Sequence, residues 1–388
     1  MIARSAEAKA LGVPMGAPWF KLQAQARQQG IVALSSNYAL YADMSNRVVE
    51  VLTTFSPHME VYSIDESFLD LSGFRGRDLS AYGQTIRVRI LRWLGLPVCV
   101  GIGATKTLAK LANHIAKKDP AFDGVCELPA LSPEAQHRRF ADIPVGAVWG
   151  VGRQIEARLA QMKIKTVEDL RRADPEWIRC RFSVVLARTV QELNGTSCLA
   201  LAETVPAKQQ IMASRSFGCA VHALEDLREA IATHMTRAAE KLRSQQCEAA
   251  AVTVMIRTSP FRPDEPQYQR TVTIPLPIPT SDTGALITAA VALLRRIYRP
   301  GYAYQKAGVM LSELTPSECY PSGLFDDAVR IERRHAIMAA MDSINQRWGR
   351  GTVQPSANGA DQAWRMRRGR LSPSYTTSWQ GLPIVLAH

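Results

Sequence analysis

Two periods alternate along the chain. From Asn37 to Phe55, the residues Tyr41, Met44, Val48, Leu52 and Phe55 recur three or four positions apart, which predicts an amphipathic helix. Gly12 follows the helical SAEAKAL and Gly30 closes PWFKLQAQARQQ, so two shorter helices end there. The run VYSIDESFLDLSG (61–73) reads as strand, broken by two adjacent acids. A helix near 78–95, the strand LPVCVGIG and the helix TKTLAKLANHIAKK (105–118) follow. Residues 142 to about 205 predict a small helical module. Between 209 and 315 the pattern is strand near 211–218, helix at about 223–245, two alternating strands AVTVMIRT and YQRTVTIPL, helix at about 284–298, and strand KAGVMLSEL. That β-α-β-β-α-β order is the split, ferredoxin-like pattern. After about 316 the chain turns irregular around one helix (328–346), and it ends on the basic stretch AWRMRRGRLSPSYTTSW.

At 388 residues the chain exceeds one ordinary core and predicts two to four domains of α+β class. No apolar run reaches the ~18 residues of a membrane helix, and the N-terminus lacks the apolar core of a signal peptide, so a cytoplasmic location is expected. The seven cysteines are scattered without a zinc spacing and are expected as reduced, packed thiols. Lys plus Arg number 47 against 35 acids, a net charge of +12, which raises the expectation of a polyanionic partner such as nucleic acid, although composition alone leaves this about even with a basic surface kept for solubility.

Asp65 and Glu66 carry the chemistry if the backbone turns between Ser63 and Glu66. On an unbroken strand they would face opposite sides. At a hairpin tip both carboxylates meet one hard cation, and two oxygen ligands completed by substrate phosphates suit Mg²⁺. In VGIGATKTLAKLANHIAKK, Leu108, Leu111, Ala112 and Ile115 form an apolar stripe beside Lys106, Lys110, Asn113, His114 and Lys117. That second stripe is either a solvated basic face or a phosphate-facing one. GIGATKT lacks the Walker A spacing, which excludes a P-loop ATPase. Gly150-Val151-Gly152 opens a helix, with Thr166 and Asp169 as a capping pair for the next. Such a turn presents backbone N–H groups to a phosphate, or belongs to a plain helical hairpin.

In collinear order, IARSAEAKALGVPMG, SSNYALYADMSNRV, YSIDESFLDLSG, GIGATKTLAKLANHIAKK, SRSFG, YQKAGVMLSEL and LSPSYTT resemble the Y-family translesion DNA polymerases, most closely the UmuC-type catalytic subunits. The resemblance implies a multidomain right-hand polymerase. Its parts would be partial fingers (1–36), palm with the Asp-Glu hairpin (37–141), helix-hairpin-helix thumb (142–208), little finger (209–316) and a C-terminal tail (317–388). It implies that Asp65 and Glu66 are catalytic and bind two Mg²⁺ ions, that Lys9 and Lys117 face the nucleotide triphosphate, and that Gly150, Gly152 and Arg153 hold DNA. Leu324 and Phe325, in GLFDD, would anchor a sliding clamp. Primer-template DNA, deoxynucleoside triphosphates, a UmuD-type dimer and a RecA filament are the implied partners, and error-prone synthesis in SOS mutagenesis the implied activity.

Chains of this family begin with a strand bearing a third metal-binding Asp and an aromatic that excludes ribonucleotides. MIARSAEAKALG corresponds to a point inside the fingers, so the expectation is a chain lacking that strand. Either the true start lies upstream, or the chain is a catalytically dead remnant that only binds DNA or partners. A metal-dependent nuclease or cyclase is a third reading of the doublet, and it predicts neither the thumb turn nor the clamp peptide.

Overall fold

A computed structural model describes residues 2–74, 76–202, 207–317, 328–359, 362–366 and 368–379. The chain divides into two compact units, residues 1–205 with 371–388, and residues 206–370.

In the first unit, α1 (Ala6–Ala10) and α2 (Trp19–Gln28) share a small core of Ala8, Val13 and Leu22. Gly12 and Gly30 stand in the left-handed region just beyond them, where the pattern predicted helix ends. Helix α3 (Tyr38–Thr53) starts at Asn37, whose side chain accepts from the Leu40 N–H. It supports a hairpin of β1 (Met59–Val61) and β2 (Ser67–Leu69) together with α4 (Leu79–Leu94), through Val51, Leu52, Phe55, Ile86 and Ile90. Next come β3 (Val100–Ile102), α5 (Lys106–Lys118) and β4 (Val125–Glu127), a parallel β-α-β unit. The predicted strand LPVCVGIG narrows to three residues, and its glycines explain why. A Cβ on Gly101 would lie 2.1 Å from the Asn113 backbone nitrogen, and one on Gly103 2.7 Å from that of Ala109. Only glycine lets α5 lie this close on β3.

Helices α6 (Pro133–Asp142), α7 (Arg153–Gln161), α8 (Val167–Arg172), α9 (Pro175–Arg181) and α10 (Val184–Leu193) form the helical module. Thr166 and Asp169 make the predicted capping box at α8. The module shares its core with α5. Phe140, Leu159, Leu170, Ile178 and Val190 close over Leu111, Ala112 and Ile115 of α5. The helix thus packs against the module while its other edge serves the hairpin.

The second unit follows the predicted order: β5 (Ile211–Val221), α11 (Leu224–Ser244), β6 (Cys247–Thr258), β7 (Gln269–Thr280), α12 (Thr283–Ile297) and β8 (Tyr304–Pro316). The sheet runs β5-β8-β6-β7 with antiparallel neighbours, so each β-α-β is split by a strand of the other. Val252, Val254, Val309 and Leu311 face the two helices, while Thr253, Thr273, Met212 and Met310 share the opposite face by register. Helix α13 (Ala328–Trp348) follows. The six described cysteines are free thiols. Among the described residues, no helix is long and apolar enough to cross a membrane.

Candidate active site

The doublet lies where the strand breaks. Strands β1 and β2 pair Met59 with Leu69 and Val61 with Ser67, which leaves Tyr62–Glu66 as the connecting loop. Two backbone N–H groups, from Tyr62 and Ser63, donate to the Glu66 carbonyl at 3.1 and 3.0 Å. The Ser63 hydroxyl accepts from the Asp65 N–H (3.3 Å) and donates to the Asp65 carboxylate (2.7 Å). These bonds fold the loop back on itself, and Asp65 and Glu66 both end up exposed at its tip. The bend removes the opposite-face problem of a continuous strand.

Helix α5 is fastened to this hairpin twice. The Lys110 ammonium pairs with Glu66 at 2.9 Å and lies over the rings of Tyr62 (4.4 Å) and Trp149 (4.8 Å). One turn earlier Lys106 pairs with Glu60, donates to the Ala200 carbonyl at 2.7 Å and lies 5.2 Å from the centroid of the Phe68 ring. This inner pair is largely buried. Burial alone would raise the Glu60 carboxyl, but the hydrogen bonds from Lys106 and the Ala202 N–H, with the Lys106 charge, hold it below the usual carboxylate range. Tyr62, Phe68 and Trp149 form a three-ring cluster with centroids 5.3 to 6.0 Å apart, and the Trp149 indole donates to the Tyr62 hydroxyl at 3.1 Å. Because Trp149 directly precedes Gly150, the glycine turn is tied to the carboxylate loop.

Sequence reasoning missed Glu60, Tyr62, Trp149 and the pairing role of Lys106 and Lys110. The available signal was the i, i+4 spacing of two lysines opposite two glutamates that flank a predicted turn. Two of the three lysines on the α5 basic stripe are therefore paired and not solvated. Lys117, in the last turn of α5, is exposed, about 10 Å further along the helix than Lys110 and on nearly the same face. Lys9 is an exposed residue in the last turn of α1. Gly150 has φ +89, Gly152 caps α7 without a side-chain bond, and Arg153 is its first residue, all three exposed. Leu324 and Phe325 lie outside the described residues. Among the described residues no group of three or more His, Cys, Asp or Glu could hold a metal ion. The donor set present, two carboxylates open to solvent at one tip, fits a hard divalent cation that takes its other ligands from water and phosphate.

Sequence profiles of the impB/mucB/samB family match residues 1–114 and, as its C-terminal domain, 208–323. Protein UmuC of Salmonella typhimurium is 46% identical over 98% of this chain and 90% of its own length. The chain belongs to the impB/mucB/samB family. Protein MucB of Escherichia coli, 45% identical over 99% of this chain and 91% of its own length, is a further family member. DNA polymerase IV of Desulfatibacillum aliphaticivorans is 29% identical over 92% of this chain and 87% of its own. The fold matches the Y-family DNA polymerase chimera Dbh-Dpo4-Dbh with a TM-score of 0.62 and 19% identity, over 79% of this chain and 85% of that one. The architecture of this impB/mucB/samB member is thus the multidomain right-hand polymerase fold of the Y family. A profile for a domain of unknown function matches residues 335–385.

Proposed function

We propose that the chain is an error-prone translesion DNA polymerase that serves SOS mutagenesis and damage tolerance in the cytoplasm by template-directed nucleotidyl transfer. The observation that carries the reading is the braced hairpin tip with adjacent carboxylates, in a chain 46% identical to UmuC over nearly its whole length. On this reading residues 1–36 belong to the fingers, 37–141 to the palm, 142–208 to the thumb, 209–316 to the little finger and 317–388 to a tail.

Asp65 and Glu66 would hold Mg²⁺, which when bound neutralises phosphate charge and activates the primer hydroxyl. The chain's own residues do the positioning. Lys110 fixes the Glu66 carboxylate through one oxygen, which leaves the other for the cation. Lys117 and Lys9 receive the triphosphate. The uncapped first turn of α7, at Gly150, Gly152 and Arg153, offers its N–H groups and one guanidinium to a DNA phosphate. Leu324 and Phe325 anchor the sliding clamp, and a UmuD-type dimer and a RecA filament complete the partners.

Primer extension opposite a template lesion, with Asp65→Ala as control, tests this. Extension by the parent and none by the variant is expected. Equal extension by both would remove the doublet from the chemistry. DNA binding without extension in the parent, weakened by Arg153→Gln, would leave a binding-only protein.

A further inference from the structure

Glu192, the penultimate residue of α10, is a carboxylate with no exposed surface. One of its oxygens accepts from the backbone N–H groups of Cys198 (2.8 Å) and Leu199 (3.1 Å), and the other from that of Thr107 (3.0 Å). Thr107 is the second residue of α5, a position whose N–H has no partner within the helix. The Thr105 hydroxyl donates to the Glu192 carbonyl at 2.9 Å and accepts from the Leu108 N–H at 3.2 Å. Side chain and backbone of Glu192 thus both hold the first turn of α5.

The residues that follow α10 are bound from the hairpin side as well. The Ala200 carbonyl accepts from Lys106 at 2.7 Å, and the Ala202 N–H donates to Glu60 at 2.7 Å. Backbone groups of Cys198, Leu199, Ala200 and Ala202 are therefore held by Glu192, Lys106 and Glu60. Lys106 is the chain neighbour of Thr107 and pairs with Glu60, which stands on β1 two positions before the loop Tyr62–Glu66. One turn further along α5, Lys110 holds Glu66 itself. A continuous path of hydrogen bonds and ion pairs leads from Glu192 to the carboxylate tip.

Attachment of α5 to the module does not call for this carboxylate. Thr105 already caps the helix, and Leu111, Ala112 and Ile115 pack it against the module. Burying a carboxylate carries a desolvation cost that its donors must offset. Apolar contact is non-directional, whereas hydrogen bonds define the height and rotation of one element on another. We propose that Glu192 is a positioning residue for the carboxylate tip. It fixes the first turn of α5 and the strap 198–202, and with them the register of Lys106 and Lys110 against Glu60 and Glu66. Its effect on chemistry rests on the polymerase reading, while its effect on the loop rests on the hydrogen bonds alone.

Amide hydrogen exchange of the full chain at Tyr62 and Ser63, whose N–H groups close the loop on the Glu66 carbonyl, tests it beside primer extension. The proteins compared are the parent, Glu192→Gln, Glu192→Asp and Ile178→Val. Ile178 is fully buried in α9, and its trimming loosens the module on the scale of one lost hydrogen bond without touching Glu192. In Glu192→Gln, an NH2 group replaces an acceptor oxygen among N–H donors. Both loop amides are expected to exchange roughly tenfold faster, and kcat for extension to fall by a similar factor. Glu192→Asp keeps the carboxylate one methylene shorter and should fall between the two. Ile178→Val should match the parent in both readings. Unchanged loop exchange in Glu192→Gln overturns the proposal, as does equal acceleration by Ile178→Val or faster exchange with undiminished extension. A parent that extends no primer refutes the polymerase reading, and the exchange comparison alone then decides whether Glu192 sets the loop. If Glu192→Gln does not fold, Glu192→Asp carries the same comparison.

Discussion

Glu168 tests how charge holds the helical module together. Its carboxylate is buried at the start of α8, accepts two hydrogen bonds from Arg171 (2.8 and 2.7 Å) and one from Arg172 (2.7 Å), and lies 2.9 Å from His137 Nδ1. Burial would raise it, but the Arg171 and His137 hydrogen bonds, the Arg171 charge and Arg172 outweigh burial and bring it from 4.5 down to about 2. A fall of that size corresponds to about 3 kcal/mol of stabilisation at neutral pH. Arg172 and His137 are open to solvent and therefore screened, so Glu168→Gln is expected to cost about 2–3 kcal/mol at pH 7. Since the folded carboxyl is the stronger acid, its contribution is complete above about pH 4.5 and is lost as pH falls toward 2. By pH 3.5, about 1.4 kcal/mol of it is gone. Hydrogen exchange of the α8 amides in parent and variant, at pH 7 and 3.5 after correction for intrinsic rates, reads the gap directly. A gap that stays constant or widens on acidification would refute the reasoning, as would a neutral substitution at pH 7.

Gly101→Ala places a methyl group against the α5 backbone, a clash no side-chain rotation relieves, so a loss of about 3 kcal/mol or more in urea unfolding of the first unit is expected. Lys110→Met keeps the stem in the aromatic cluster but frees Glu66, and primer extension should fall roughly 10- to 100-fold with little change in unfolding, a pattern that Lys110→Arg partly restores. Trp149→Phe removes the indole bond to Tyr62 but not the ring packing, and DNA affinity measured by anisotropy should fall by about threefold or less. The buried Cys126 thiol is pushed up to about 11 by burial, so at pH 8 a thiol reagent should label the exposed Cys180 and Cys219 long before it.

Regular periodicity made much of this molecule readable. The predicted helix at 105–118 is α5, and every element from β5 to β8 falls within a few residues of its expected span, because alternating and 3.6-residue patterns report which face is buried. The turn at Ser63–Glu66 was legible because two acids interrupt a run of strand formers. What stayed hidden depends on contacts remote in sequence. Nothing local marks Glu60 as the partner of Lys106, which lies 46 residues away, or Trp149 as the lid on Tyr62, 87 residues away. The packing of Trp364 on Phe217 was equally invisible, since the two rings meet only after the C-terminal segment returns to β5.

The double fastening of α5 also has a mechanical side. Lys106 and Lys110 grip the hairpin on both sides of its turn, and the same helix ends at Lys117. A sideways displacement of the helix therefore carries the Asp65–Glu66 tip and the Lys117 amine together, as common-mode motion. Thermal jitter shifts the assembly in space while the spacing between carboxylates and amine changes little. A site mounted this way tolerates a compliant surround, because its accuracy depends on the stiffness of one helix.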